Sequence, residues 1–283
     1  VPVGTASSLV LSADQAVAAT PVSGGHLKAA GSSSSTADTL DPAKASLSTD
    51  YSRCCAVYNR LTFLNAQGEV EMELAENVES DDAKTWMVTL KSGVEFHDGK
   101  SFTSADVVYS LKRHLDPAVG SKVNAIAQQM VEITAKGDLG VEIVLAESNA
   151  DLPTILSLHH FLIVADGTTD FSKGNGTGSF MMETFEPGVK SIAVKNPNYF
   201  KAEGPYLDSF EYFAIPDNNA RVNAVLSGDV HIGASIKGRS RRMLENQENA
   251  YASVTSSGNY TNLNMRLDME PGAKEGFVEG MKH

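Results

Sequence analysis

The segment at residues 207–234 constrains the fold more than any other part of the chain. Residues 207–215 alternate apolar and polar side chains, which predicts a half-buried strand. Asp217 then predicts a helix N-cap, and Gly228 is a residue type that commonly follows a helix end. Residues 230–234 predict the next strand. A strand, a helix and a strand of these lengths imply a right-handed parallel crossover, which is an α/β arrangement.

Residues 90–111 form a second informative unit. Strand-type residues up to position 96 are followed by Asp98-Gly99, a turn dipeptide because glycine tolerates positive φ. Thr103, with Asp106 three residues later, predicts a capped helix start. The helix would carry an apolar stripe at helical spacing, formed by Val107, Val108, Leu111 and Leu115.

As a string, FHDGKSFTSADVVYSLKR at residues 96–113 resembles the hallmark segment of the bacterial extracellular solute-binding proteins of family 5. These are the oligopeptide-, dipeptide- and nickel-binding components of ABC importers. Other strings are similar to family segments, namely TLDP at 39–42, LAE at 74–76, and GTGSF at 176–180 with NPNYF at 196–200. Ser179 and Phe200 replace the usual Pro and Trp of the last two strings.

The resemblance implies an α/β fold of the periplasmic binding protein-like type, class II and cluster C. The first lobe would have a mixed sheet plus an inserted α+β subdomain, and the second lobe would be largely missing. Residues 23–48 and 171–257 would form the discontinuous core of lobe I, and residues 49–170 the inserted subdomain. Residues 258–283 would be the crossover strand and the start of a truncated lobe II.

The resemblance also implies a ligand site at the mouth of a cleft between lobes. Ser35, Thr36 and Ala37 lie on the loop after the first predicted strand, where a peptide backbone can add to a strand edge. The predicted crossing strand adds amide groups and one aromatic ring, from Asn259, Tyr260, Asn262 and Asn264. Simple surface hydration is the alternative role for each polar residue. The acidic residue that holds a peptide's amine belongs, by resemblance, to the missing second lobe, so this chain alone should bind poorly.

The final segment departs from the family pattern. At four positions where the family usually has Phe, Asp, Arg and Ala, this chain has Gly272, Ala273, Gly276 and Gly280. In a helix each interior glycine costs ~1 kcal/mol relative to alanine. The chain also stops where family members continue into their second lobe. We therefore expect an N-terminal portion, or a decayed relative, of a longer protein.

Charge and hydropathy exclude two classes of partner. The formal net charge is −12, which argues against nucleic acid. The cationic cluster at residues 237–242 favours a solvated helix start or loop over an anion site. No apolar run approaches the ~20 residues of a membrane-spanning helix. Residues 1–22 predict either a remnant of a secretory signal, ending in the small-x-small Ala16-Val17-Ala18, or a disordered leader. The resemblance favours export, and therefore the periplasm.

Local patterns predict several further elements. Residues 50–64 predict a helix, with the adjacent Cys54 and Cys55 as packing residues near its start. Residues 131–135 and 141–145 predict an antiparallel hairpin. A short helix is expected from Asp151 to His160, followed by a strand at 162–165. The acidic residues at 69, 71 and 73 are expected to form a solvated face.

Enzymatic motifs are not found in the sequence. The glycine-rich run at 174–180 precedes a predicted strand, so it lacks the helix N-terminus that a phosphate loop needs. His159 and His160 would point ~100° apart on a helix, which does not suit one small metal ion. We therefore expect no catalytic residue, metal or other cofactor.

The function that follows is capture of a small solute, with peptides favoured over nickel, haem or sugar, for delivery to an inner-membrane ABC permease. The chain is expected to act as a monomer. One alternative is a non-transporting remnant or interaction module made of a single lobe. A less favoured alternative is an enzyme that uses scattered residues.

Overall fold

The computed structural model describes residues 21–33, 35–244, 247 and 250–253. The predicted leader up to residue 20 and the predicted crossing strand lie outside the described residues. Every helix in the described part of the chain is too short or too polar to cross a bilayer.

The strands of the described residues are numbered in chain order. They are β1 (His26–Gly31), β2 (Thr62–Leu64), β3 (Val70–Met72), β4 (Ala75–Glu79), β5 (Thr85–Leu90), β6 (Met130–Ala135), β7 (Gly140–Leu145), β8 (Phe180–Glu186), β9 (Lys190–Lys195), β10 (Ser209–Ala214) and β11 (Ile232–Gly233). The α-helices are α1 (Ser48–Val57), α2 (Ser104–Arg113), α3 (Asn124–Ala127), α4 (Leu152–Ile155), α5 (Asn218–Leu226) and α6 (Gly238–Arg241), and a 3-10 turn follows at Arg242–Leu244.

The first sheet is mixed and contains five strands in the order β11-β1-β10-β9-β8. Strand β1 is parallel to both β10 and β11, whereas β8, β9 and β10 are antiparallel neighbours. The parallel relation between β10 and β11, with α5 between them in the chain, confirms the predicted strand–helix–strand unit. Asp217 caps α5, since its Oδ1 accepts a hydrogen bond from the amide of Ala220 at 2.7 Å. Strand β11 is shorter than predicted because the amide of Val230 bonds back to Ala224 of the helix.

The second sheet is antiparallel and contains four strands in the order β4-β5-β7-β6. Strands β6 and β7 pair with Ile133 opposite Ile143, which confirms the predicted hairpin. Helix α2 packs on this sheet, and the two share the larger hydrophobic core of the described residues. Its fully buried members include Val88, Leu90, Val107, Leu111, Val141, Ile143 and Leu145.

The predicted turn and capped helix around residue 100 are confirmed. The predicted strand ends earlier, at Leu90, and within residues 91–96 Glu95 alone forms a bridge, with Ser101. Gly99 has a φ of +84°, which few residues other than glycine adopt. At the start of α2, the amide of Thr103 donates to Oδ2 of Asp106 at 2.8 Å. The other carboxylate oxygen of Asp106 accepts from Lys100 Nζ at 2.5 Å. Asp106 therefore fixes both the helix start and the turn before it.

The predicted helix at 50–64 is wrong beyond residue 57. Tyr58 is extended, with φ −120° and ψ 160°, and β2 begins four residues later. The amide of Gly178 donates to the carbonyl of Val57 at 2.8 Å, so a distant segment takes up the last helical carbonyl. Cys54 is buried, as predicted, but it lies in the second half of α1, and Cys55 is exposed.

Three further expectations differ from the structure. Residues 162–165 are buried but form no strand: the amide of Ile163 donates to the carbonyl of Asn59, and the amide of Val164 donates to Oγ of Ser110. Glu73, expected on a solvated face, is buried and bonds the side chains of Asn59 and Lys201. The predicted helix from Asp151 is shorter than expected, because α4 is a single turn.

Candidate functional site

Three parallel strands bring their carboxyl ends to one edge of the five-stranded sheet. Because β1, β10 and β11 run in the same direction, the segments that follow them leave from the same side. In open α/β sheets, ligands bind outside the carboxyl ends of parallel strands. The segment after β1 carries Ser35, Thr36 and Ala37, so the structure places these three predicted site residues at that edge.

The loop at residues 35–38 is a turn held by its own hydrogen bonds. The hydroxyl oxygen of Ser35 accepts from the amide of Ala37 at 3.0 Å, and the carbonyl of Ser35 accepts from the amide of Asp38 at 3.0 Å. Ser35 is partly buried, whereas Thr36 and Ala37 are exposed. The loop therefore presents two exposed residues on a locally fixed backbone.

The loop is tied to the sheet by the residue that ends it. Asp38 and Arg53 form an ion pair in which Asp38 Oδ2 lies 2.7 Å from Arg53 Nη1, and both side chains are 0% exposed. The same Asp38 oxygen accepts from the amide of Gly188, in the β8–β9 turn, at 3.2 Å. That turn touches the loop directly: a Cβ added to Gly188 would lie 3.1 Å from the carbonyl of Ser35. Loop, turn and helix α1 therefore meet at one carboxylate.

Arg53 is itself held by the sheet. Its Nε donates to Oγ of Ser191 on β9 at 3.1 Å. Its guanidinium carbon lies 5.4 Å from the ring centroid of Phe185 and 5.7 Å from that of Tyr212, which are cation–π distances. Burial raises the pKa of the Tyr212 hydroxyl. The hydroxyl lies so close to β1 that a Cβ on Gly31 would clash with it, so a larger residue there would displace the Tyr212 ring.

The residues after the loop are fixed in the same way. Asp50, in the first turn of α1, accepts the amides of Thr39 and Leu47 at 3.1 and 3.2 Å. Asp41 accepts from Nη2 of Arg113 at 2.9 Å, and both side chains are nearly buried. The TLDP string is therefore a set of backbone and side-chain contacts that joins β1 to α1 and α2.

A second buried arginine fixes the other two strand ends. Arg221, on α5, donates to the carbonyls of Ile215 and Pro216 after β10 at 2.7 and 2.9 Å. It also donates to the carbonyls of Ala234 and Ser235 after β11, each at 3.0 Å. The Arg221 side chain thus holds together the two segments that follow β10 and β11, on either side of the segment that follows β1. This geometry makes the edge a pre-formed surface rather than a set of free loops.

The predicted site is only partly visible in the described residues. Ser35, Thr36 and Ala37 lie together at the sheet edge, whereas Asn259, Tyr260, Asn262 and Asn264 lie outside the described residues. Asp38, Arg53 and Arg221 were not among the predicted site residues. Nothing in the sequence marks them, because a charged residue on a helix or loop is ordinarily solvated, and only the fold shows these to be buried.

Several titratable groups lie away from the parallel-strand edge. No group of three or more His, Cys, Asp and Glu residues there is arranged to hold a metal ion. The rings of His159 and His160 pack against Tyr51 in tilted and edge-on orientations, at centroid distances of 4.2 and 5.4 Å. Burial lowers the pKa of both histidines. Burial also raises the pKa of the Cys54 thiol, which keeps it protonated and unreactive.

A separate concavity lies on the four-stranded sheet. It has a volume of about 320 Å³ and is lined by Glu79, Ser80, Asp81, Thr85, Trp86 and Met87. These residues belong to β4, β5 and the turn that joins them, so the concavity is not part of the parallel-strand edge.

Comparisons with known proteins identify the family of the chain. Residues 69–281 match the model of the bacterial extracellular solute-binding proteins, family 5 middle. The oligopeptide-binding protein AppA of Bacillus subtilis (strain 168) is 29% identical over 188 residues, which are 62% of this chain and 34% of that protein. The glutathione-binding protein GsiB of Escherichia coli (strain K12) is 26% identical over 240 residues, which are 82% of this chain and 47% of that protein.

Solved structures give the same result. The periplasmic binding protein AgaA of A. tumefaciens R10, in complex with agropinic acid, superposes with a TM-score of 0.73 at 28% identity. The superposition covers 79% of this chain and 46% of AgaA. The chain thus spans between a third and a half of the length of these three proteins.

Proposed function

The chain belongs to family 5 of the bacterial extracellular solute-binding proteins, and we propose that it captures a peptide or a similar small solute for an ABC importer. The observation that carries this proposal is the family match over residues 69–281. Peptides are preferred over nickel, haem or sugar because two relatives are named for oligopeptide and glutathione binding. The proposed location is the periplasm.

We place the solute at the carboxyl edge of β1, β10 and β11. Ser35, Thr36 and Ala37 would contact it there, and Asn259, Tyr260, Asn262 and Asn264 stay the other proposed ligand-binding residues. An extended peptide can bond the backbone of the exposed loop, which gives affinity with little demand on side-chain identity. The clamped geometry of the edge supports this placement, since a pre-formed surface loses little conformational entropy on binding.

The proposed domain division follows the sheets. Strand β1 pairs with strands more than 170 residues later in the chain, whereas the four-stranded sheet is built entirely from residues 75–145. This topology supports a lobe I core at residues 23–48 and 171–257, with residues 49–170 inserted. Residues 258–283 would cross into a second lobe. Ligand would then act by favouring the state in which two lobes enclose it, and a permease would recognise that state.

The test is ligand-induced stabilisation of the full protein as its gene encodes it. Thermal unfolding is measured with separate pools of tri- to pentapeptides, Ni²⁺, haem and oligosaccharides. A ligand at about 100 times its Kd adds about 2.7 kcal/mol of stability, so a binding pool raises the unfolding midpoint by several degrees. We expect the peptide pool to do so. Failure of every pool would contradict the transport function and favour a single-lobe interaction module.

The loop itself is tested by one variant and a matched control. Ala37→Trp adds bulk to an exposed loop residue at the proposed site, and we expect it to reduce the shift caused by peptides. Ala118→Trp makes the same change at an exposed position between α2 and α3, and we expect it to leave the shift unchanged. Equal shifts in the two variants would remove the loop from the site.

A further inference from the structure

The ion pair beneath the loop is poorly explained as a stabilising contact. Asp38 and Arg53 are both fully buried, and replacing a buried ion pair by apolar residues is often neutral or stabilising. Two of its polar atoms, Asp38 Oδ1 and Arg53 Nη2, are buried without a hydrogen-bond partner among the described residues. A buried polar atom without a partner destabilises the fold. The pair therefore carries a cost that a contact kept for stability alone would not need.

The pair has the geometry of a positioning device. Arg53 is fixed by β8, β9 and β10 through Phe185, Ser191 and Tyr212, so its guanidinium position is set by the core of the sheet. Asp38 directly follows Ala37 in the chain, and its carboxylate bonds Arg53 Nη1. The ion pair between Asp38 and Arg53 therefore fixes the position of the loop relative to the sheet.

We propose that Arg53 and Asp38 are positioning residues, which hold the backbone of residues 35–37 in the conformation that binds the solute. The proposal rests on the proposed function, since it deepens the role of the same edge. Neither residue touches the solute in this scheme. They act through the loop, and through the β8–β9 turn whose Gly188 amide shares the Asp38 oxygen.

The main test replaces both charges by apolar residues in the full protein, as D38L/R53M. Removing both partners avoids a lone buried charge, so we expect the midpoint of urea unfolding to stay close to that of the wild type. We expect amide hydrogen exchange at Ala37 and Asp38 to become ~10-fold faster, and the affinity for a tri- to pentapeptide pool to fall ~10-fold. If the pair served stability alone, the unfolding midpoint would change while amide exchange in the loop and peptide affinity would not.

The control removes an ion pair far from the loop. Lys136 Nζ and Glu142 Oε1 lie 2.9 Å apart on the β6–β7 hairpin, and K136M/E142L deletes the same two charges there. We expect this variant to leave loop exchange and peptide affinity unchanged. If the control and D38L/R53M behave alike in both measurements, the proposal is overturned.

Arg53→Lys keeps the test decisive if the double variant does not fold. Lysine retains the charge opposite Asp38 but loses the Nε–H that binds Ser191. We therefore expect an exchange rate of the loop amides and a peptide affinity that lie between the wild-type values and those expected of D38L/R53M. Wild-type values for both would overturn the proposal. Amide exchange needs no ligand, so a wild-type protein that binds no peptide would refute the proposed function while the positioning role is still measured.

Discussion

The imidazole Nε2 of His97 lies 3.0 Å from the carbonyl oxygen of Gly178. The other ring nitrogen, Nδ1, accepts from the amide of Gly176 at 3.3 Å, so Nε2 carries the hydrogen and donates it to Gly178. Next to this contact, Asn175 Nδ2 donates to Oδ2 of Asp98 at 2.8 Å. The FHDG and GTG strings therefore form one joint between the segment before α2 and the segment before β8, and its contact residues His97 and Gly178 are 81 positions apart in the chain.

This joint predicts a clear effect of His97→Ala. The substitution leaves the carbonyl of Gly178 and the amide of Gly176 without their imidazole partner, so we expect it to reduce the free energy of unfolding by ~1–3 kcal/mol. Urea unfolding at pH 7 measures this change. His26→Ala, which removes an exposed imidazole from β1, serves as the control and should cost less than ~0.5 kcal/mol. Equal losses in the two variants would show that the joint does not depend on the ring.

The two glycines of the GTG string, Gly176 and Gly178, are required by close packing rather than by backbone conformation. A Cβ at Gly178 would lie 2.4 Å from the carbonyl carbon of Val57, and the neighbouring atoms are backbone, which cannot move aside cheaply. We expect Gly178→Ala to destabilise the protein by about 3 kcal/mol or more, measured by urea unfolding. Gly238→Ala is the control, since nothing lies within 4 Å of a Cβ there, and it should be neutral. A neutral Gly178→Ala would contradict the contact of α1 with this loop.

The features that were predictable from the sequence have local causes. The cap of α2 joins Thr103 to Asp106, three residues apart, and the β6–β7 hairpin is closed by a short turn. Turns and helix caps depend on residues that are close together in the sequence, so pattern and spacing were enough to predict them. The position of Ser35, Thr36 and Ala37 at a strand end was likewise predictable, because it follows directly from the first strand.

The features that were not predictable depend on distant partners. Helix α1 ends at Val57 although apolar residues continue at helical spacing, because the amide of Gly178 binds its last carbonyl. Arg53 contacts Ser191 across 138 residues, and no local pattern distinguishes a buried arginine from a solvated one. The role of the loop could therefore be proposed from the sequence, but the contacts that hold it could not.

Glu73 is the residue for which the sequence pattern predicts exposure but the structure shows burial. It alternates with Glu69 and Glu71, yet it is buried and accepts from Asn59 Nδ2 at 2.9 Å, from the amide of Arg60 at 2.8 Å, and from Lys201 Nζ at 3.2 Å. We expect Glu73→Ala to cost ~2–3 kcal/mol in urea unfolding, because these donors lose their acceptor. The exposed Glu71→Ala should cost under ~0.5 kcal/mol. Similar values for both would mean that Glu73 is solvated after all.

His114 predicts how stability depends on pH. The side chain is buried, its Nδ1 lies 2.7 Å from Oγ of Ser121, and its ring packs on Phe161. Burial, followed by the nearby charges of Arg113 and His160, lowers its pKa from 6.5 to about 4. Burial also lowers the pKa of His97, so both histidines act in the same direction. Between pH 6.5 and 4 the unfolded chain takes up a proton that the folded His114 refuses.

Stability must therefore be fully present above pH 6.5 and decline as the pH falls toward 4. For His114 alone we expect a loss of about 2 kcal/mol between pH 7 and 5, measured by urea unfolding across that range. His114→Asn keeps a polar atom for Ser121 but does not titrate, so its stability should be lower at pH 7 and should fall less steeply. A wild-type slope in His114→Asn would assign the acid sensitivity to other groups.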